Sequence, residues 1–359
     1  MTIVTPQQLI DAADRFPLRE AHREVTDLME PNLARYFVDT AVTALAGWAA
    51  LLTLNFAGPW AVKLIAWAAA TYLLYRSAVF IHELVHMRSR RHRKVYGRWW
   101  NLLVGYPLLI PYFLYDCHAE HHSKRLYGTI HDAEYLPYAQ LPRSEIVKTL
   151  VASPFGALFG VLRFGIVPLL AWFSPRIRAW SWTQASSIKL DLSYDGHPPR
   201  NDEQRRLWLT QETVAFVVFW AVIVLAATGV LPWSLLGWWL VVLATIVVLN
   251  SLRLLGAHRY HGNDDENASL MAQMIDTVNI SRNPVIGSIW GPIGLRLHAL
   301  HHLFPSLPYH NYNEAHRRLL HLLPDDSAYH LVHERSLGAA LMRLWRAPRP
   351  GDAGVEVNR

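Results

Sequence analysis

Cysteine is almost absent. Cys117 stands alone in 359 residues, so no internal disulfide can form and the fold requires no oxidising compartment. Charge is scarce as well: Asp, Glu, Lys and Arg make up 17% of the chain, against about 25% in ordinary soluble domains. That shortage weighs against a soluble fold. The first thirty residues are polar and amphipathic and lack the apolar core of a cleaved signal peptide, which leaves the first spanning helix as the insertion signal. Internal repeats and low-complexity tracts are missing too. What is plentiful is apolar, with 52% hydrophobic residues and a mean hydropathy of +0.11.

The apolar residues lie in blocks of membrane-spanning length with the charges between them, which predicts an all-α integral membrane protein. A first span over residues 36–56 meets a second over 60–81 through the turn Ala57-Gly58-Pro59, and residues 213–231 meet 233–252 through Pro232. These make four transmembrane helices in two hairpins. Residues 102–115 are too short to cross and hold Pro107 and Pro111, while residues 150–173 hold Pro154, Arg163 and Pro168. Both are expected to be interfacial or re-entrant. The run Arg88 to Lys94 after the second span, and Arg253 and Arg259 after the fourth, place those helix ends in the cytoplasm. The net charge of +6 therefore reads as a match for lipid headgroups and not for nucleic acid. The expected organisation is a cytoplasmic N-terminal segment (1–35), one membrane domain (36–322) and a cytoplasmic C-terminal tail (323–359). The membrane is expected to be the inner (plasma) membrane, with a histidine-rich cap on the cytoplasmic face.

That cap is predicted from the 19 histidines, nine of which form a pattern. His82 and His86 in HELVH sit four apart at the end of the second span, so both imidazoles share one helix face. His118, His121 and His122 in HAEHH, and His298, His301 and His302 in HALHH, repeat an i, i+3, i+4 spacing that again gathers three side chains on one face. His258 lies just beyond the fourth span, on the same side of the membrane as the first group. Nine imidazoles exceed the coordination of one ion and point to two metals, although imidazole suits zinc, copper, nickel and iron alike.

These residues resemble the membrane fatty acid desaturase superfamily, which includes related hydroxylases and ketolases. The resemblance covers residues 36–320 and rests on HELVH, HAEHH, the isolated histidine of GAHRYHG and the segment HALHHLFPSLPYHN. It implies a helical fold whose cap holds two iron ions (Fe2+/Fe3+), with O2 as co-substrate. The implied ligands are His82, His86, His118, His121, His122, His258, His298, His301 and His302. The segments HHLFPSLPYHN and GTIHDAEYLP look most like acyl-chain desaturases, so the implied reaction is desaturation of a fatty acyl chain. Hydroxylation of an alkyl or other lipid chain by the same centre is the alternative. Where acyl-CoA desaturases carry an asparagine one turn before the isolated histidine, this chain has Leu254; Asn250, one turn further back, is a candidate for that outer role, and His261 is a candidate tenth ligand. No cytochrome b5-like segment is fused to either end, so electrons are expected from a separate ferredoxin or cytochrome b5 type protein with its reductase.

HELVH also fits the H-E-x-x-H motif of zinc proteases, with Glu83 as general base. That reading leaves seven patterned histidines unexplained, and Glu83 is expected instead to accept a hydrogen bond from a ligand imidazole. Arg76, inside the second span, is expected to reach the interface or pair with a carboxylate such as Asp116. His310, His316, His321, His330 and His333 are expected to bind nothing specific.

Overall fold

The structure is a computed structural model that describes residues 5–262 and 267–349; the last ten residues of the expected C-terminal tail, and residues 1–4, lie outside the described residues. Among the described residues the chain is helical apart from one parallel pair of two-residue strands, Asn279–Ile280 against His333–Glu334. Five segments are long and apolar enough to cross a membrane: Leu33–Phe56, Trp60–His86, Arg143–Phe173, Asp202–Ala227 and Trp233–Ala257. That is one more than the two-hairpin reading expects. The extra segment is not one smooth helix. It breaks into Arg143–Ala152, Gly156–Gly165 and Val167–Phe173, with Pro154 and Pro168 at the joints, because a proline removes a backbone donor and crowds the preceding turn.

The chain divides into two compact units. One comprises residues 33–118 and 150–249. Its first hairpin turns within Ala57, Gly58 and Pro59, as the sequence predicts, and its arms approach closely where a side chain at Gly47 would collide with Leu74. Several polar groups along these arms are paired. Tyr36 donates to Glu83 at 2.6 Å and Thr40 bonds Tyr96 at 2.6 Å. Arg76 forms a two-pronged pair with Asp39, with Nη2 to Oδ2 at 2.6 Å, whereas Asp116 accepts from the Trp208 indole at 3.1 Å. The carboxylate partner of Arg76 is thus the one on the facing arm. Residues 101–115 are irregular, with a π-helix at Asn101–Gly105 and a 3-10 turn at Tyr112–Tyr115. Asn101 satisfies freed groups there by accepting from Tyr112 N and donating to Gln211, the kind of repair an interrupted helix at membrane depth requires.

Arg163 is buried among apolar side chains of this unit. Glu212 lies 2.8 Å from it and 2.5 Å from Arg178, and both Arg163 and Glu212 are almost fully buried. A charge so placed persists only when it is paired.

The other unit comprises residues 1–32, 119–149 and 250–359. Thr5 caps the helix Pro6–Asp14 in a reciprocal bond with Gln8, as the spacing T-x-x-Q allows. Leu9 and Ala13 of that helix, and Ala21 and Val25 of Leu18–Val25, join a core with Leu297, Leu300, Leu303, Phe304 and Leu319. Each fully buried leucine there contributes roughly 1.5–3 kcal/mol. Helices Tyr312–Leu322 and Leu337–Arg346 continue the packing to the end of the described chain.

Candidate metal centre

The six-residue helix His298–Leu303 is buried on all sides. Its two chemistries separate by helical spacing: Ala299, Leu300 and Leu303 face the apolar core, and the three histidines take the remaining face. Asn279 anchors the helix by accepting from Leu300 N at 3.2 Å, and Val278 O accepts from His298 N at 3.2 Å. His258 enters just after the long helix Trp233–Ala257 and bridges to Thr277. His121 closes the four-residue helix His118–His121.

In this unit His121, His258, His298 and His302 form one buried set whose ligand atoms all lie within 4.8 Å of one another. His258 Nε2 faces His298 Nε2 at 3.0 Å, and His122 Nε2 faces His301 Nε2 at 2.9 Å. Two nitrogens bound to one ion at about 2.1 Å and at right angles stand about 3.0 Å apart, so these separations suit neighbouring ligands. His298 Nδ1 is also buried with no hydrogen-bond partner among the described residues. The donor set fits a bound transition metal.

Outer partners orient these rings. Asp132 Oδ2 lies 2.8 Å from His121 Nδ1. Tyr127 stands 3.1 Å from His258 Nδ1 and donates to Asp276 at 2.8 Å, where Tyr135 donates as well. Tyr312 holds His301 Nδ1 at 2.9 Å and Gln273 lies 3.5 Å from His302 Nδ1. With Nδ1 of His121, His258, His301 and His302 engaged on the outside, Nε2 of these four rings points inward, which is how metal-ligating imidazoles are held. Burial pushes the His298 imidazole well below its usual pKa, reinforced by His258 and His302, and burial lowers that of His258 despite Asp276. Both are then neutral at neutral pH, the form that binds metal. Burial also opposes charge on His121, but the Asp132 carboxylate outweighs it and holds that pKa above the ordinary value. Burial, together with Asp276, raises the pKa values of Tyr127 and Tyr135 and keeps them as protonated donors.

The other unit holds its own three-histidine group. The His82 and His118 rings lie 4.6 Å apart, His82 and His86 4.9 Å, and His86 and His118 5.0 Å. Tyr115 stacks on His118 at 4.6 Å. Glu83 accepts from the Tyr36 hydroxyl at 2.6 Å and sits 3.9 Å from His82 Nδ1, beyond hydrogen-bond reach of that imidazole.

The family profile described as "Fatty acid desaturase" matches residues 58–333. The chain belongs to the fatty acid desaturase family. It is 34% identical over 345 residues, 95% of this chain and 97% of the relative, to a ceramide hydroxylase of Caulobacter vibrioides (strain NA1000 / CB15N). No solved structure matches. As a member of this family of membrane oxidoreductases, the chain places its histidine boxes within helices or at their ends. Of the two candidate additions, His261 is exposed and engages Asp276 through its backbone N–H, and Asn250 accepts from Arg253 at 3.0 Å. His310 Nε2 accepts from Asn32 N, and His316 bonds Tyr329 at 2.7 Å, so both are structural. Asp132, Tyr127, Asp276, Tyr312 and Gln273 carry no role in the sequence reading. Asp132 had a signal, since it lies in the GTIHDAEYLP segment; the others had none.

Proposed function

We propose that this enzyme hydroxylates an aliphatic C–H bond of a ceramide-class lipid, using O2 and two iron ions held by His82, His86, His118, His121, His122, His258, His298, His301 and His302. The buried four-imidazole set of His121, His258, His298 and His302, in a chain similar along nearly its whole length to a ceramide hydroxylase, carries the reading. An unactivated methylene has no acidic proton and no polar handle, so side-chain acid–base groups alone do not attack it. Bound iron would supply the O2 chemistry that removes a hydrogen atom. For hydroxylation, the C–H bond, O2, two electrons and two protons give an alcohol and one water; for desaturation, two C–H bonds, O2, two electrons and two protons give an alkene and two waters. The electrons come from a separate ferredoxin or cytochrome b5 type donor.

The protein's own residues prepare this chemistry. Asp132, Tyr127 with Asp276, Tyr312 and Gln273 set the orientation of His121, His258, His301 and His302. Burial of His121, His258, His298, His301 and His302 excludes bulk water that would otherwise compete for ligand nitrogens.

Desaturation is the second reading, favoured by the HHLFPSLPYHN segment. Expression in a host supplied with a saturated ceramide, followed by mass spectrometry, separates the two. A gain of one oxygen atom is expected; loss of two hydrogens with no added oxygen would replace hydroxylation by desaturation, and iron-free active protein would remove both.

A further inference from the structure

Four buried tyrosines form an unbroken run that starts at the histidine set, all within one unit. The Tyr127 ring stands 5.2 Å from that of His121 and 5.5 Å from that of His302, centroid to centroid. Tyr135 follows 5.3 Å from Tyr127, Tyr260 5.1 Å from Tyr135, and Tyr138 5.1 Å from Tyr260. Tyr135 and Tyr260 also lie 5.8 and 5.2 Å from the His258 ring. These spacings put neighbouring rings in contact, and each of the four residues is at most 3% exposed. A core needs only the rings, and phenylalanine would supply them without a hydroxyl that must be bonded.

The hydroxyls and the backbone give the run a direction. Tyr127 and Tyr135 donate to the same atom, Asp276 Oδ2, each at 2.8 Å, so one carboxylate serves both phenols nearest the histidines. Tyr260 donates to Leu254 O at 2.8 Å, and the Tyr138 hydroxyl lies 2.6 Å from the Thr149 hydroxyl. Thr149 is half-buried, and Lys148 beside it and Gln140, two residues after Tyr138, are exposed. The outer end of the run therefore lies just under the surface. Tyr260 joins it at a φ of +61°, a left-handed conformation that a residue with a Cβ rarely adopts and that persists only where the surroundings impose it. Those surroundings are the run's own segments: Ala139 N donates to Tyr260 O at 3.1 Å, and Gly262 N to the Tyr135 hydroxyl oxygen at 3.0 Å.

We propose that Tyr127, Tyr135, Tyr260 and Tyr138 relay an oxidising equivalent from the metal-binding histidines toward the surface when O2 is activated with no lipid C–H bond in reach. It rests on the reading that this centre uses O2, whichever product it makes. Tyr127 gives one electron to the oxidised centre and its phenolic proton to Asp276, breaking its O–H bond. Tyr135 then gives one electron to the Tyr127 radical; the proton on Asp276 returns to Tyr127, and that of Tyr135 takes its place on the shared oxygen. Tyr260 reduces Tyr135, which recovers its proton from Asp276, while Tyr260 keeps its own in the bond to Leu254 O. Tyr138 reduces Tyr260 and releases a proton through Thr149 to solvent. The net change is one electron gained by the centre, and one electron and one proton lost by Tyr138, which a reductant of the thiol or ascorbate class and solvent then return.

The full chain, loaded with iron in a neutral detergent without lipid, is reduced with dithionite, freed of it, mixed with O2 and frozen at intervals. Electron paramagnetic resonance is expected to show a tyrosyl signal that narrows in protein made with ring-deuterated tyrosine and that added ascorbate removes. Tyr260→Phe keeps the packing ring and breaks the run before Tyr138, since a phenyl ring is not oxidised where a phenol is. There the signal is expected to outlast that of the wild type and to lose its response to ascorbate. Peptide mass spectrometry is expected to find oxygen added at Tyr127 and Tyr135 in this variant, where the wild type is spared. Tyr138→Phe removes only the outer end, is expected to do the same, and decides the matter should Tyr260→Phe not fold. A role in packing alone leaves the signal and its decay unchanged in both variants, and that result would overturn the relay. O2 uptake with neither a tyrosyl signal nor oxidised tyrosine would overturn it too, leaving the O2 reading intact. If the reduced iron-loaded protein takes up no O2, that reading falls, and the relay with it.

Discussion

Asp132→Asn tests whether the outer partners of the histidines set metal affinity. Asp132 is fully buried, with Oδ2 2.8 Å from His121 Nδ1 and accepting from Gly128 N at 3.0 Å, while Oδ1 accepts from Glu134 N at 3.0 Å. All three contacts use acceptor oxygens. Asparagine keeps the shape and offers one oxygen, so its amide N–H₂ takes the place of either Oδ2 or Oδ1. In the place of Oδ2 it faces both His121 and the Gly128 N–H: Nδ1 becomes the acceptor, the ring proton moves to Nε2, the nitrogen that points inward, and the Gly128 donor is left facing another donor. In the place of Oδ1 it collides with the Glu134 N–H, and the turn that positions the side chain shifts. Either outcome removes the carboxylate that makes the imidazole a better ligand. Loss of such a partner costs about 10–100-fold in metal affinity, or about 1.4–2.7 kcal/mol. The assay is iron affinity by chelator competition on purified protein, with metal content by mass spectrometry and the exposed neighbour His131→Asn as control. Wild-type affinity in Asp132→Asn would refute the claim that this bond holds the His121 ring for metal.

His301→Ala is expected to abolish product and to lower bound iron below that of the wild type; retained product in lipid analysis would take His301 out of the ligand set. Glu212→Gln leaves Arg163 buried beside no carboxylate and is expected to destabilise the protein by about 3–5 kcal/mol, read as a lowered thermal unfolding midpoint. Replacing Arg163, Arg178 and Glu212 together with apolar residues is expected to recover most of that loss. Burial, reinforced by His333, depresses His316 to about 3, and burial depresses His333 to about 4, both from an ordinary 6.5. The unfolded chain therefore takes up protons first as pH falls. The stability these two neutral rings contribute is complete above pH 6.5 and is lost as pH falls toward 4. The drop in unfolding midpoint between pH 7 and pH 5 should accordingly be smaller in His316→Gln/His333→Gln than in the wild type, and an equal drop would exclude these two rings as the cause.

The polar requirements of buried groups explain where the sequence reading succeeds and where it falls short. The Ala57-Gly58-Pro59 hairpin was legible because a three-residue breaker between two apolar runs is a local signal. The fifth candidate span, Arg143–Phe173, was read as interfacial because Arg163 and two prolines interrupt it. Its charge is tolerable only through Glu212, a partner nearly fifty residues away that no local window shows. Arg76 was expected to find a carboxylate; which one depended on the packing of Asp39 from the facing arm. The outer partners Asp132, Tyr127 and Tyr312 were not read from the sequence, because each reaches its histidine only through tertiary packing.

By itself the sequence determined the family and which histidines are grouped: helical periodicity makes an i, i+3, i+4 set of histidines share a face wherever that helix packs, and apolar length decides which segments are able to span. Tertiary structure decided which nitrogen each imidazole presents and which buried charges are matched. Those outcomes depend on contacts between residues far apart in the chain, and local periodicity carries no record of them.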